Sequence, residues 1–374
     1  MDSFFILQAI ALLYIFYLLA KVCDEYFVDA LEVITKRLHI SEDVAGASFM
    51  AIGSSAPELF IALIALMKVG AESIGVGTIV GSAVFNVLVI IGASAWTSKI
   101  ILNWKPVLRD LIFYIFSLLV LIFTFLDGEI TLFEVIIYLS LYAFYLIVLK
   151  KWKKWVPHNK NNNKISIPHK KDKVPSILKE KVKRKSGLYI IETISDRILS
   201  FTYFKAKKNE NLYLVSFCIS IIWIAFLSWA MVDISLHMAN QLGIPVAIIG
   251  ITVLAVGTSV PDLISSIIAS KRGMGNMAVS NAIGSNTFDI LIGLGFPWLL
   301  YIVIQGGKVE VDTSTLETSI GLLFGSVILL LILLLVNKFQ LSKFIGGLLI
   351  TIYIIYVIVS VLLVVDKNYF FAFF

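Results

Sequence analysis

The chain has 374 residues, 59% of them hydrophobic, 13% aromatic and only 15% charged, with a formal net charge of +6. A soluble domain carries about half apolar and a quarter charged residues, so this composition suits lipid better than water as solvent. The charge is unevenly placed: 18 of the 31 basic and five of the 25 acidic residues lie in 150–210, giving that segment +13 and the remainder −7. Two cysteines, Cys23 and Cys218, both in apolar runs, form no disulfide framework and no CxxC pair. No GxxxxGK[ST] phosphate loop is present, and the four histidines are too scattered for zinc spacing or a hydrolytic triad.

In chain order, apolar runs long enough to cross a bilayer fall into two groups of five. The first group covers roughly 4–35, 44–67, 74–98, 107–126 and 130–149. The second covers roughly 212–238, 244–270, 276–304, 316–336 and 343–365. The fold class expected is an all-α membrane protein of about ten transmembrane helices, because only helices and closed barrels satisfy the backbone in lipid. The short alternation of a membrane barrel is absent. The first run leads into the acidic stretch Cys23-Asp-Glu-Tyr26 with no small-residue cleavage site, so it reads as a span and not as a signal peptide.

Between the groups lies the polar segment 150–210. Its 150–185 part, rich in Lys and Asn, reads as a disordered loop. Residues 187–204 place Leu188, Ile191, Ile198 and Phe201 at near-helical spacing, which predicts an amphipathic surface helix. The Lys cluster at 150–185 could hold anionic lipid; the plainer reading, an ordinary loop obeying the positive-inside tendency, is preferred. Nucleic-acid binding is not expected, since no aromatic platform is interleaved with the basic residues. With this loop cytoplasmic, Lys36, Arg37, Lys99, Lys105, Arg109, Lys271, Arg272, Lys338 and Lys343 share its side and only Lys68, Lys308 and Lys367 lie opposite. That bias puts both termini outside. Trp104, Trp152, Trp155 and Trp298 read as interfacial anchors.

The two groups repeat one another. Gly53-Ser-Ser-Ala-Pro-Glu58 matches Gly257-Thr-Ser-Val-Pro-Asp262, and Gly81-Ser-Ala-Val-Phe-Asn86 matches Gly284-Ser-Asn-Thr-Phe-Asp289. Gly46 pairs with Gly250, Gly92 with Gly295, and Val28-Asp29 with Val232-Asp233. Equivalent elements are separated by an odd number of spans, so the halves are inverted five-helix repeats. Such repeats belong to secondary transporters with a midplane site at the repeat interface. The division expected is 1–149, 150–210 as a basic cytoplasmic loop, and 211–374.

Each first motif sets a glycine, two hydroxyls, a proline and a carboxylate inside an apolar run. Pro57 and Pro261 lack the helix N–H and leave carbonyls a turn earlier, near Ala51 and Ala255. Ser54, Ser55, Thr258 and Ser259 add hydroxyl oxygens, and Glu58 and Asp262 add full charge. The second motifs supply Ser82 with Asn86 and Ser285 with Asp289, each pair one helical turn apart. The product is an all-oxygen cage, suited to hard cations such as Ca²⁺, Na⁺ and K⁺. A carboxylate at mid-membrane is costly, so Glu58, Asp262 and Asp289 read as ion-binding. Gly46, Gly92, Gly250 and Gly295 read as helix-packing positions, and Asp24, Glu25, Asp29, Glu32 and Asp233 as acids near an interface.

At these motifs the chain resembles the calcium/cation antiporter superfamily, and within it the potassium-dependent sodium/calcium exchangers. The resemblance rests on Val22-Cys-Asp-Glu-Tyr-Phe-Val28, Glu42-Asp-Val-Ala-Gly-Ala47, Gly53–Phe60, Val76–Asn86, Gly257–Leu263 and Met277–Asp289, and covers both halves. It implies alternating access without covalent chemistry, Na⁺ entry driving Ca²⁺ and K⁺ out, with these ions as substrates and no cofactor or enzymatic activity. It further implies that Glu58 and Asp262 are the central Ca²⁺ carboxylates. Ser54, Ser55, Ser82, Asn86, Thr258, Ser259 and Ser285 would complete Ca²⁺ and Na⁺ coordination, and Asp289 would mark K⁺ dependence. The chain departs from animal members at Asp29 (usually Pro), Ser117 (often an acid) and Asn276 (commonly Asp). The insert is shorter, and a counterpart of the animal proteins' cleaved N-terminal segment is not expected. A K⁺-independent Na⁺/Ca²⁺ or H⁺/Ca²⁺ antiporter is the alternative, and a non-transporting receptor or scaffold the remote one. The plasma membrane and an endomembrane are both open, and the sequence gives no oligomeric state.

Overall fold

The computed structural model describes residues 3–37, 51–155, 187–203, 212–271, 273–311 and 317–371. Among these, nine helices are long and apolar enough to cross a membrane, and the shorter helix Ala56–Met67 falls second in chain order. The ten expected positions are thus all occupied by helix. The second is short because Ser55, at φ −97° and ψ 8°, ends the turn Ala51–Ser54 before Pro57 opens the next helix. Proline is tolerated there because the first helical turn has no use for its N–H.

Two short ladders reveal the inversion. Ile100–Ile101, between the third and fourth spans (β1), pairs antiparallel with Gln340–Leu341, between the ninth and tenth (β4). Glu129–Ile130, between the fourth and fifth (β2), pairs with Val309–Glu310, between the eighth and ninth (β3). The 3–4 connection of the first half therefore meets the counterpart of 4–5, and the 4–5 connection meets the counterpart of 3–4, once at each membrane face. A two-fold axis lying in the membrane plane generates this arrangement. Other ties respect the same sidedness: Ser98 meets Ser270 (Oγ–Oγ 2.6 Å), Lys68 pairs with Asp233, and Lys308 with Glu129. The Glu129 carboxylate raises the exposed Lys308 ammonium above its ordinary range.

The third span, Glu72 through Thr97, lies at the centre and is almost wholly buried. Small residues let it touch the seventh span directly. A Cβ at Gly250 would sit 2.8 Å from the Ile74 carbonyl oxygen, and one at Gly81 would collide with the Ile251 backbone. Gly92 and Gly295 are likewise closed in, by the tenth span and by Tyr138, so the packing reading holds for them. Gly46 and the Glu42–Ala47 motif lie outside the described residues. Trp298 is a correction: it is 2% exposed and packs edge-on against Tyr138, so it is core rather than an interfacial anchor. Trp104, 51% exposed, is the first residue of the fourth span.

The insert carries the expected helix. It spans Gly187–Thr202, with Ile191 and Ile198 on its exposed side. Its buried side carries Ser195 and Leu199, followed by Tyr203. It runs beside the first and sixth spans. Tyr14 meets Ser195 at 3.2 Å, Lys21 pairs with Asp196 at 2.6 Å, and Tyr26 stacks on Tyr203. Trp223 donates to Thr202 and Tyr203 to Ser220. Most of the 150–185 Lys cluster lies outside the described residues.

Candidate functional site

The motif residues converge where the second, third, seventh and eighth spans cross. Glu58 is 4% exposed, in the first turn of Ala56–Met67, with its carboxylate against the Thr258 hydroxyl of the seventh span. Ser55, 2% exposed, lies within reach of Asp289, which is also 2% exposed. Each half thus reaches into the other: the hydroxyl of one repeat meets the carboxylate of its counterpart. Ser259, Ser82 and Ser285 are buried, and Ser82 donates to the Ile79 carbonyl, leaving its oxygen lone pairs available.

Asn86 and Asp289 occupy equivalent places in their repeats. In each case the regular helix gives way there to a wider turn, Asn86–Ile90 and Asp289–Leu294. Such π-turns open the backbone ladder and are frequent at functional sites. A further wide turn, Gly250–Leu254, precedes Ala255. The Ala255 carbonyl receives the Thr258 hydroxyl at 3.4 Å, and Leu254 receives it at 3.1 Å. Pro261 lies inside an unbroken helix, Ala255–Lys271, so the two proline motifs differ: the first breaks its span and the second does not. Ala51 opens the turn Ala51–Ser54.

Asp262 is half-buried and lines a cleft with Ser54, Thr258, Cys23 and Phe16. The Phe16 ring lies over Gly257, where any side chain would strike it. Cys23 belongs to a wide turn, Cys23–Phe27, within the first span, and is the residue of that turn that lines the cleft.

Four buried oxygens here make no hydrogen bond with a described residue: Glu58 Oε2, Asn86 Oδ1, Ser285 Oγ and Asp289 Oδ1. A buried polar atom without a partner is costly, and two of these belong to carboxyl groups. Oxygen-only donors of mixed charge fit a hard cation. Among the described residues no three His, Cys, Asp or Glu side chains form one chelating group, although Asp289 lies within electrostatic range of both Glu58 and Asp262. Any one ion would therefore draw most of its ligands from neutral oxygens.

Asn286 is a site neighbour that the motif reading misses. It is fully buried, accepts from the Asn86 amide at 2.8 Å and donates to the Ala83 carbonyl at 3.1 Å. The sequence does hold a signal for it: an amide in an apolar run, at a motif position where the halves differ.

Comparison with known proteins agrees with this architecture. A family model described as sodium/calcium exchanger protein matches residues 8–151 and 212–362. The chain is 31% identical to sodium/potassium/calcium exchanger 2 of Gallus gallus, over 96% of this chain and 77% of that protein. It is 30% identical to the exchanger 2 of Homo sapiens, over 96% and 78%. A solved structure of the sodium-calcium exchanger NCX_Mj superposes with a TM-score of 0.54 and 26% identity, covering 94% of this chain and 98% of that one. With both blocks of the family matched, one in each inverted half, the chain belongs to the sodium/calcium exchanger family.

Proposed function

We propose that the chain is a secondary-active antiporter that exchanges Na⁺ for Ca²⁺ together with K⁺ across a membrane. The observation that carries this reading is the set of four unpartnered buried oxygens, drawn from both repeats and centred on Glu58 and Asp289. Relatives named sodium/potassium/calcium exchangers support the choice of ions. Glu58 and Asp262 supply charge for Ca²⁺, the hydroxyls of Ser54, Ser55, Ser82, Thr258, Ser259 and Ser285 and the Asn86 amide supply neutral oxygens, and the backbone at Ala51 and Ala255 adds carbonyls. Asp289 balances a monovalent ion beside them.

Because the repeats are inverted, the site presents equivalent surroundings to both membrane faces, which is what alternating access requires. Na⁺ and Ca²⁺ compete for the same oxygens, so each can leave only when the other replaces it. The two-block family match supports dividing the chain into repeats 1–149 and 211–374 with 150–210 between them. The basic charge of that connection supports its cytoplasmic placement.

The test is Ca²⁺ uptake into Na⁺-loaded vesicles, with and without external K⁺. Uptake is expected to need internal Na⁺ and to rise with K⁺. Indifference to K⁺ would favour the K⁺-independent alternative, and dependence on a pH gradient in place of Na⁺ would favour proton coupling. Glu58→Gln removes a buried ligand charge worth about 3 kcal/mol, or about a hundredfold in apparent Ca²⁺ affinity. Wild-type transport in that variant would overturn the site assignment. Asp289→Asn is expected to keep Na⁺/Ca²⁺ exchange and lose the K⁺ response.

A further inference from the structure

The fourth and fifth spans carry four buried tyrosines, and one is unlike the others. Tyr138 shares a hydrogen bond with Thr124 at 2.8 Å, Tyr145 donates to Asp110 at 3.2 Å, and Tyr142 has a partner of its own. Tyr114 is fully buried, and its hydroxyl completes no hydrogen bond with a described residue. It lies within reach of the Asn286 amide and within electrostatic range of the Asp289 carboxylate. The Asn286 amide is itself held by Asn86 and Ala83. Ser117, one turn along the same helix, turns its hydroxyl back to the Tyr114 carbonyl at 2.7 Å and offers nothing to the site.

We propose that Tyr114 is an ion-site residue: its phenol oxygen joins the Asp289 carboxylate in holding a large monovalent cation of the K⁺ class. This rests on the antiporter reading above and adds to it a ligand from outside the repeated motifs. The chemistry follows from the charges. One carboxylate balances one positive charge, and the oxygens beside it, from Tyr114, Ser55 and Asn86, are neutral. A cation of low charge density is held by several neutral oxygens in a spacious shell, whereas Ca²⁺ draws carboxylates close. A phenol reaches from the fourth span without bringing charge, so it completes the shell and leaves the balance intact. The asymmetry between the halves agrees: the extra acid, Asp289 opposite Asn86, stands in the half against which Tyr114 packs.

Tyr114→Phe removes this oxygen and keeps the ring, so it tests the proposal with little change in packing. In Na⁺-loaded vesicles the K⁺ concentration giving half-maximal Ca²⁺ uptake is expected to rise at least fivefold, more than the corresponding Na⁺ or Ca²⁺ values. In detergent, K⁺ should raise the melting midpoint of the variant less than that of the wild type. Tyr138→Phe, which loses a hydroxyl away from the site, should leave the K⁺ requirement in place. An unaltered K⁺ requirement and an unaltered K⁺-induced melting shift in Tyr114→Phe, with Asp289→Asn abolishing both, would overturn the role of Tyr114 alone. A wild-type protein that ignores K⁺ in both measurements would overturn it together with the K⁺ part of the parent reading.

Discussion

At the scale of single residues, some side chains around the site bond across the repeats. Asn286 shows how tightly these exchanges are wired. Its amide oxygen and nitrogen each serve a group of the third span, so Asn286→Leu would strip partners from Asn86 and Ala83 at once. Two newly unsatisfied buried groups cost about 1–3 kcal/mol each, so the melting midpoint in detergent should fall clearly. Asn286→Ala should do the same with less crowding, and Asn286→Gln should not rescue, because both contacts depend on reach. The sequence makes Glu58, Asp262 and Asp289 legible because charge in an apolar run has few structural excuses. Asn286 and Tyr114 are not legible in the same way, because amides and phenols are common in helix packing. Only their burial and their neighbours mark them out.

At the scale of elements, periodicity locates the helices but not what their polar sides meet. The spacing in Gly187–Thr202 predicts an amphipathic surface helix, and Ile191 and Ile198 stand on its exposed side. Beside membrane spans apolar side chains can face outward to lipid, while polar ones find partners on the protein. Ser195, Asp196 and Thr202 do so with Tyr14, Lys21 and Trp223. Lys21 is 8% exposed, and Asp196 is the acid paired with it. Asp196→Ala should therefore lower stability by about 1–2 kcal/mol, discounted for the exposed side of Asp196. Lys21→Met in the same protein should recover most of the loss, since it removes the buried charge left behind. Thermal unfolding of the single and double variants checks this, and equal losses would refute the pairing. The proline motifs carry a similar lesson. Identical spacing produces a break at Ser55 in one half and an unbroken helix through Pro261 in the other.

At the scale of the whole molecule, the inversion is legible from matched motifs separated by five spans, whereas the way the halves are fastened is not. Two-residue strands leave no periodic trace, yet β1 with β4 and β2 with β3 close the halves on each other at opposite faces. The apolar interior also divides in two. One cluster is built mainly from the third to fifth and seventh to tenth spans, and another mainly from the first, second and sixth with the Gly187–Thr202 helix; the second, third and seventh spans contribute to both. The Lys21–Asp196 and Tyr26–Tyr203 contacts belong to the second cluster and the ladders to the first.

The ladders have a further consequence. A chain whose halves clasp each other at both ends has no mechanical need of the peptide that joins them. Covalent continuity then serves synthesis and stoichiometry more than cohesion, and the protein amounts to a heterodimer translated as one message. Two co-expressed fragments, 1–155 and 187–374, should therefore find each other in the membrane, co-purify and exchange ions. Fragments that insert but never associate would show that the tether, and not the clasp, brings the repeats into register.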